Sequence, residues 1–247
     1  MRFRSTNPVY RHVHNNATID YAESVSYSGV ILKSSILFAI VAVIASYIGL
    51  EVMSLRTVTT GLLTMIVVAP LFGFIMVLIA MFRPTSAKIT GPMYAAAQGV
   101  TLGAISGIYE VAYGGGIVFI ALLATFGVFA SMLTLYATGL VRVTEFFRRF
   151  LYTMLLGLVF TSFIMIIVYL IGGTSSISIS FIFAITIISI IIASLYLLVD
   201  FDNIVQAVEG GVDKRYEWVL ALGLIITIIW LYIEILRLVA ILTSRRR

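Results

Sequence analysis

Seven apolar stretches, each close to the length a helix needs to cross a bilayer, follow one another along this chain with only short polar links between them. The hydrocarbon core is about 30 Å thick, which takes about 20 residues at about 1.5 Å each. The pattern predicts spans over residues 34–50, 58–82, 91–110, 115–140, 151–172, 178–208 and 217–242. Backbone groups in lipid must find partners within their own segment, so each span is expected to be a helix. The fold class expected is an all-α integral membrane protein with seven transmembrane helices. Hydrophobic residues are 61% of the 247 and the mean hydropathy is +1.12, more apolar surface than a soluble core hides.

The third stretch is the most diluted, by Gln98 and by Gly99, Gly103, Ala104, Ser106 and Gly107. Small residues at such spacing suit close helix–helix packing rather than lipid contact. Arg83-Pro84 is expected to end the second helix, Pro92 to open the third, and Pro70 to bend the second. Gly114-Gly115-Gly116, Gly172-Gly173 and Gly210-Gly211 read as tight turns.

Residues 1–33 are polar or mixed and read as a cytoplasmic N-terminal tail, with no signal peptide indicated, leaving 34–247 as the transmembrane domain. With the N-terminus inside, that side receives Arg2, Arg4, Arg11, Lys33, Arg83, Lys88, Arg142, Arg148, Arg149, Lys214 and Arg215. The other side receives Arg56 and the terminal Arg245, Arg246 and Arg247. Basic residues favour the cytoplasmic side, so a multi-pass protein of the cell membrane with its N-terminus inside is expected. The terminal arginine triplet argues the other way for the C-terminus, and a re-entrant last segment would explain it.

Several function classes drop out. No cysteine is present, which removes disulfides, thiolate metal sites and thiol catalysis. His12 and His14 both precede the first span, so no histidine is available inside the membrane for a serine–histidine dyad. No phosphate-binding loop, HExxH or dinucleotide fingerprint occurs, and no basic stripe is interleaved with aromatics. An enzyme, a cofactor, a metal centre and a nucleic-acid partner are not expected.

The remaining chemistry lies in two acids and an arginine. Asp200 ends the apolar run ISIIIASLYLLVD, but helical spacing continues through Phe201, Ile204, Val205 and Val208 to Gly210. Asp200 therefore lies about 15 Å inside the cap. A carboxylate at a helix centre costs about 2.5–3.5 kcal/mol to insert, so such groups face a protein interior or a watered path. In the last span Thr227 is about 14 Å in from Trp218, and Glu234 about 24 Å. Thr227 is thus level with Asp200, and Glu234 lies two turns beyond it. Glu234 has Arg237 at i+3 as an ion-pair partner, and that pairing and an ion-path role stand side by side. Arg83 reads either as an anchor at the membrane edge or as a latch reaching in to Asp200. Asp202 and Glu209 are expected on the wetter part of the sixth helix, and Glu51, Arg56 and Glu110 at the outer helix ends read as solvated loop charges ahead of a cation-attracting mouth.

Three stretches carry a resemblance: FRSTNPV at the N-terminus, LYLLVDFDNI around Asp200, and EWVLALGLIITIIWLYIEILRL in the last span. With them the chain resembles the Bax inhibitor family, in its prokaryotic membrane branch. The resemblance implies a last helix held centrally between two three-helix layers, and a pH-sensitive calcium leak. It further implies a carboxyl pair on helices six and seven that shares a proton, and an arginine at the end of helix two that latches one of them. Asp200 matches the first acid and Arg83 the arginine. Aligning LALGLIIT puts Thr227 at the second acid, whereas aligning WLYIE puts Glu234 there.

The expected function is a cation leak channel, with calcium or protons as permeant or gating ions. Carboxylate oxygens are hard ligands suited to calcium. The alternative from another class is a non-conducting membrane regulator that binds a quality-control protease or another membrane protein through the N-terminal tail. A proton-coupled transporter ranks below both, since no repeated broken-helix pair is evident.

Overall fold

The computed structural model describes residues 24–55, 60–172 and 178–244. Seven long helices make up the described chain: α1 (Tyr27–Leu55), α2 (Thr60–Phe82), α3 (Ala87–Tyr113), α4 (Ile117–Ala137), α5 (Glu145–Gly172), α6 (Ile179–Glu209) and α7 (Glu217–Ser244). Single 3-10 turns at Pro84–Ser86 and Lys214–Tyr216 precede α3 and α7. Six of the helices are long and apolar enough to span a membrane, and α3 is the exception. The N-terminal tail with Arg2, Arg4, Arg11, His12, His14 and FRSTNPV lies outside the described residues, as do Arg56, Gly173 and Arg245–Arg247.

The punctuation follows local chemistry. α2 stops at Phe82, and Pro84 opens the 3-10 turn behind it. α2 runs through Pro70 as one continuous helix. Pro92 does not open α3, because that helix already starts at Ala87. Gly114, Gly115 and Gly116 take φ of 62°, 72° and 72°, the left-handed region that glycine alone enters without cost.

Three helices begin earlier than the apolar runs suggest: α3 by four residues, and α1 and α5, whose starts are each explained by a tertiary contact. α1 starts at Tyr27, not near residue 34, because the segment before it is pinned to the α6–α7 link. Val25 N donates to Val212 O at 2.7 Å, and Val25 and Val30 are buried with Ala207. The Glu217 carboxylate then receives Ser26 N and Ser26 Oγ, both at 3.0 Å, and pairs with Lys33. α5 starts at Glu145, six residues before the expected edge, and its first turns carry the Arg148 that pairs with Asp202.

α7 packs against α1, α3, α4 and α6, while α2 joins the bundle through α3 and α5 through α6. The arrangement is two three-helix groups, α1–α3 and α4–α6, with α7 between them. Burial matches: 6% of the most apolar stretch of α5 is enclosed, against 56% for α7. From Glu217 to Val239 no α7 residue is exposed. The faces that α2 and α5 turn outward are apolar, as lipid contact requires.

α3 is less apolar than the other helices, and its small residues face α1 rather than lipid. Gly99, Gly103 and Gly107 recur every fourth residue and form one stripe. A Cβ at Gly99 would stand 2.8 Å from Ile44 Cβ, one at Gly103 2.6 Å from the Ala45 carbonyl, and one at Gly107 2.8 Å from Val52 Cβ. The two backbones therefore approach as closely as glycine allows, the packing that replaces hydrophobic drive inside lipid.

Candidate functional site

Asp200 sits three-quarters of the way along α6, nine residues from Glu209, or about 14 Å from the helix end. It is 8% exposed, among Leu197, Leu198, Val199 and Phe201. Its carboxyl is turned into the α6–α7 seam. A Cβ on Gly223 would come 4.0 Å from Asp200 Oδ1, so the missing side chain at Gly223 leaves room for the carboxyl. Thr227, one turn farther along the same face of α7, brings its hydroxyl beside the acid. That hydroxyl lies 3.4 Å from Gly223 O, a long bond that leaves it weakly committed. Asp200 Oδ2 is buried with no hydrogen-bond partner. Tyr196, one turn back on α6, is close enough to interact with Asp200 electrostatically.

Of the residues singled out in the sequence, the structure brings Asp200 and Thr227 together. Glu234 is seven residues beyond Thr227, about 10 Å along the axis. It is buried and accepts from Arg237 Nη1 at 2.9 Å. Arg83 is exposed where α2 gives way to the 3-10 turn. Asp200 has no arginine partner among the described residues, so Arg83 does not latch it in this conformation.

The arginine that does reach an α6 acid is Arg148 of α5, and its partner is Asp202. The carboxylate of Asp202 also receives Tyr136 OH at 3.0 Å and Gln206 Nε2 at 2.7 Å, while Arg148 Nη1 donates to Asn203 Oδ1 at 2.7 Å. Asp202 is thus half-buried and fully partnered, not loosely solvated. Two residues along a helix turn the side chain about 200°, so Asp200 and Asp202 point away from each other. One faces α7 and has an empty oxygen; the other faces α4 and α5 and has every oxygen filled. The sequence signal for this cluster was the polar stripe Asp202, Asn203 and Gln206 on an otherwise apolar helix.

Three further acids have places of their own. Glu110 caps α4, accepting from Gly116 N at 2.9 Å and Val118 N at 3.2 Å. Glu217 belongs to the Lys33 clamp. Glu51 is exposed near the end of α1. Among the described residues no three histidine, aspartate or glutamate side chains converge on one point. The seam around Asp200 can therefore hold a proton, or a passing cation that keeps other oxygens from water, because calcium takes about 6–8 oxygen ligands.

A comparison with curated proteins finds no match. A family model described as Bax inhibitor 1 like matches residues 7–244, which takes in all seven helices, the Asp200 seam and the Arg148–Asp202 cluster. A chain matched over nearly its whole length, with six described helices set around a buried seventh, belongs to the Bax inhibitor family.

Proposed function

We infer that this protein is a pH-sensitive cation leak pathway of the cell membrane, with calcium as the permeant ion and Asp200 as the group that answers to protons. The observation that carries this reading is the buried Asp200 carboxyl, with an unpartnered Oδ2, set against the enclosed helix α7. A bare carboxylate in the hydrocarbon slab is costly. Two occupants remove that cost: a proton, which neutralises the group, or a cation, which pairs with it. Both would use the same oxygen, so proton and cation compete there, and the charge state of Asp200 alters how α6 and α7 fit together.

The basic end of the bundle supports the orientation. Lys33, Arg83, Lys88, Arg142, Arg148, Arg149, Lys214 and Arg215 all flank helix ends on the side where α1 begins and α6 meets α7. Facing that end to the cytoplasm follows the distribution of basic residues in membrane proteins. Arg83 then contributes to the positive cytoplasmic rim. Glu234, paired with Arg237 toward the other end, is a second polar step along α7.

Calcium flux into proteoliposomes tests the reading. Wild-type flux is expected to differ severalfold between about pH 6 and about pH 8, settings that bracket neutral pH. Asp200→Asn, which keeps the shape but cannot ionise, is expected to carry the same flux at both. An unchanged pH response in Asp200→Asn, or no flux from either protein, would overturn it. The second outcome would leave the non-conducting regulator with a membrane-protein partner.

A further inference from the structure

A cavity of about 510 Å³ opens sideways from the half of the bundle away from the basic end, between α1 and α4, with α3 and α7 as its floor. It falls in the range of small-molecule sites, about 300–1,000 Å³. α1 and α4 touch at its inner end through the edge-on rings of Phe38 and Phe126, 5.6 Å apart. Beyond that contact the helices part. Ala42, Ala45 and Gly49 supply a low wall on α1, Phe119 and Leu122 a taller one on α4, and Ile229 lies at the bottom.

The inward polar side chains on the wall are spoken for. Ser106 and Tyr232 bond each other at 2.7 Å, Thr125 donates to Ala121 O at 2.7 Å, and Glu110 is engaged by Gly116 N and Val118 N. Ser46, also on the wall, is exposed at the rim. Glu110, near the outer end of α3, is the one charged side chain on the wall and is held by backbone N–H groups, while the rest of the lining is neutral and mostly apolar, which fits a neutral chain. Its open side faces the depth at which Leu50, Phe119 and Leu122 meet lipid. In a bilayer the drive to fill it is not hydrophobic, since the guest is already in hydrocarbon. An empty cavity leaves its lining atoms without contacts on one side, and a guest restores them.

We propose that this cavity binds one acyl chain of a bilayer phospholipid, which enters between α1 and α4 and lies against the central helix α7. The occupant touches Ile225, Ile228, Ile229 and Tyr232, on the helix that also holds Gly223 and Thr227 against Asp200. This site stands apart from the proton-sensitive reading, and its test does not use flux.

The full-length protein is reconstituted with phosphatidylcholine carrying a photoreactive diazirine midway along one chain, and labelled residues are mapped by mass spectrometry. Labelling of α7 between Ile225 and Tyr232 is expected, although no residue in that stretch is exposed. Leu122→Trp, which fills the cavity from α4, is expected to cut it at least fivefold. Leu156→Trp, on the exposed face of α5, is expected to leave it unchanged. Both variants are first shown to be monodisperse, and Ala42→Leu serves as a second filler from α1. No label on α7, or equal α7 labelling in wild type and both fillers, overturns the proposal. So does label spread evenly along α7, including Glu217–Leu222.

Discussion

Gly103→Val is expected to unfold the α1–α3 pair and lower stability by more than about 3 kcal/mol, above the usual 1–3 kcal/mol for overpacking. The reason is what the new side chain would meet. Its Cβ would stand 2.6 Å from the Ala45 carbonyl and 2.8 Å from Ile48 Cβ, and the first of these is backbone that cannot rotate away. Gly127 in α4 and Gly157 in α5 provide the comparison, because a Cβ at either meets nothing within 4 Å. Valine there removes a flexible residue from a helix and is expected to be neutral or slightly stabilising. The check is the temperature at which half the detergent-solubilised protein remains monodisperse. Gly103→Val should fall far below wild type, and Gly127→Val and Gly157→Val should not. Equal melting of the three would mean that α1 and α3 are not packed through the glycine stripe.

Lys33→Met is expected to be the second large loss. The Glu217 side chain has no exposure, and its carboxylate is enclosed by Ser26, Lys33 and the backbone of Gly29. Lys33 also lies over the Trp218 ring, 5.7 Å from its centre. Removing the ammonium leaves a buried anion with two neutral donors. Breaking one side of a buried pair costs about 3–5 kcal/mol, and the lower end is expected here because the clamp sits at the end of the bundle near the headgroups. Glu217→Gln added to Lys33→Met removes the stranded charge while an amide oxygen still accepts from Ser26. The double variant should therefore melt above Lys33→Met alone, a coupling that independent sites would not show. Melting at or below the single variant would mean that Lys33 acts through its contact with Trp218, not through the anion.

How far the sequence could be read depended on whether a residue's partner was local. The seven helices were legible because apolar runs are a property of contiguous residues, and α3 was legible as an interior helix because its glycines share one face. The early starts of α1 and α5 were not. Lys33 and Arg148 are charged, so hydropathy places them outside the membrane segment. They stay helical because Glu217 and Asp202 meet them, from 184 and 54 residues away. The same error hid the Arg148 cluster: a fifth helix drawn from residue 151 leaves its arginine in a loop, with no reason to face α6. The depth count on α7 placed Thr227 opposite Asp200 because rise per residue is fixed, whereas Arg83 could not be judged without knowing where a long side chain points. Asp202 was read as solvated from its place near the loop end of α6, because the residues that fill its carboxylate, Arg148 and Tyr136, lie 54 and 66 residues away.

Asp200 is proposed to change protonation inside the membrane, with a cation competing for the same oxygens. Infrared difference spectroscopy of the reconstituted protein tests this directly, through the C=O stretch of a protonated carboxylic acid. Such a band is expected to grow as pH is lowered, to shrink when calcium is added at constant pH, and to be absent from Asp200→Asn. A band that is the same in wild type and Asp200→Asn, or one indifferent to calcium, would contradict the proposal.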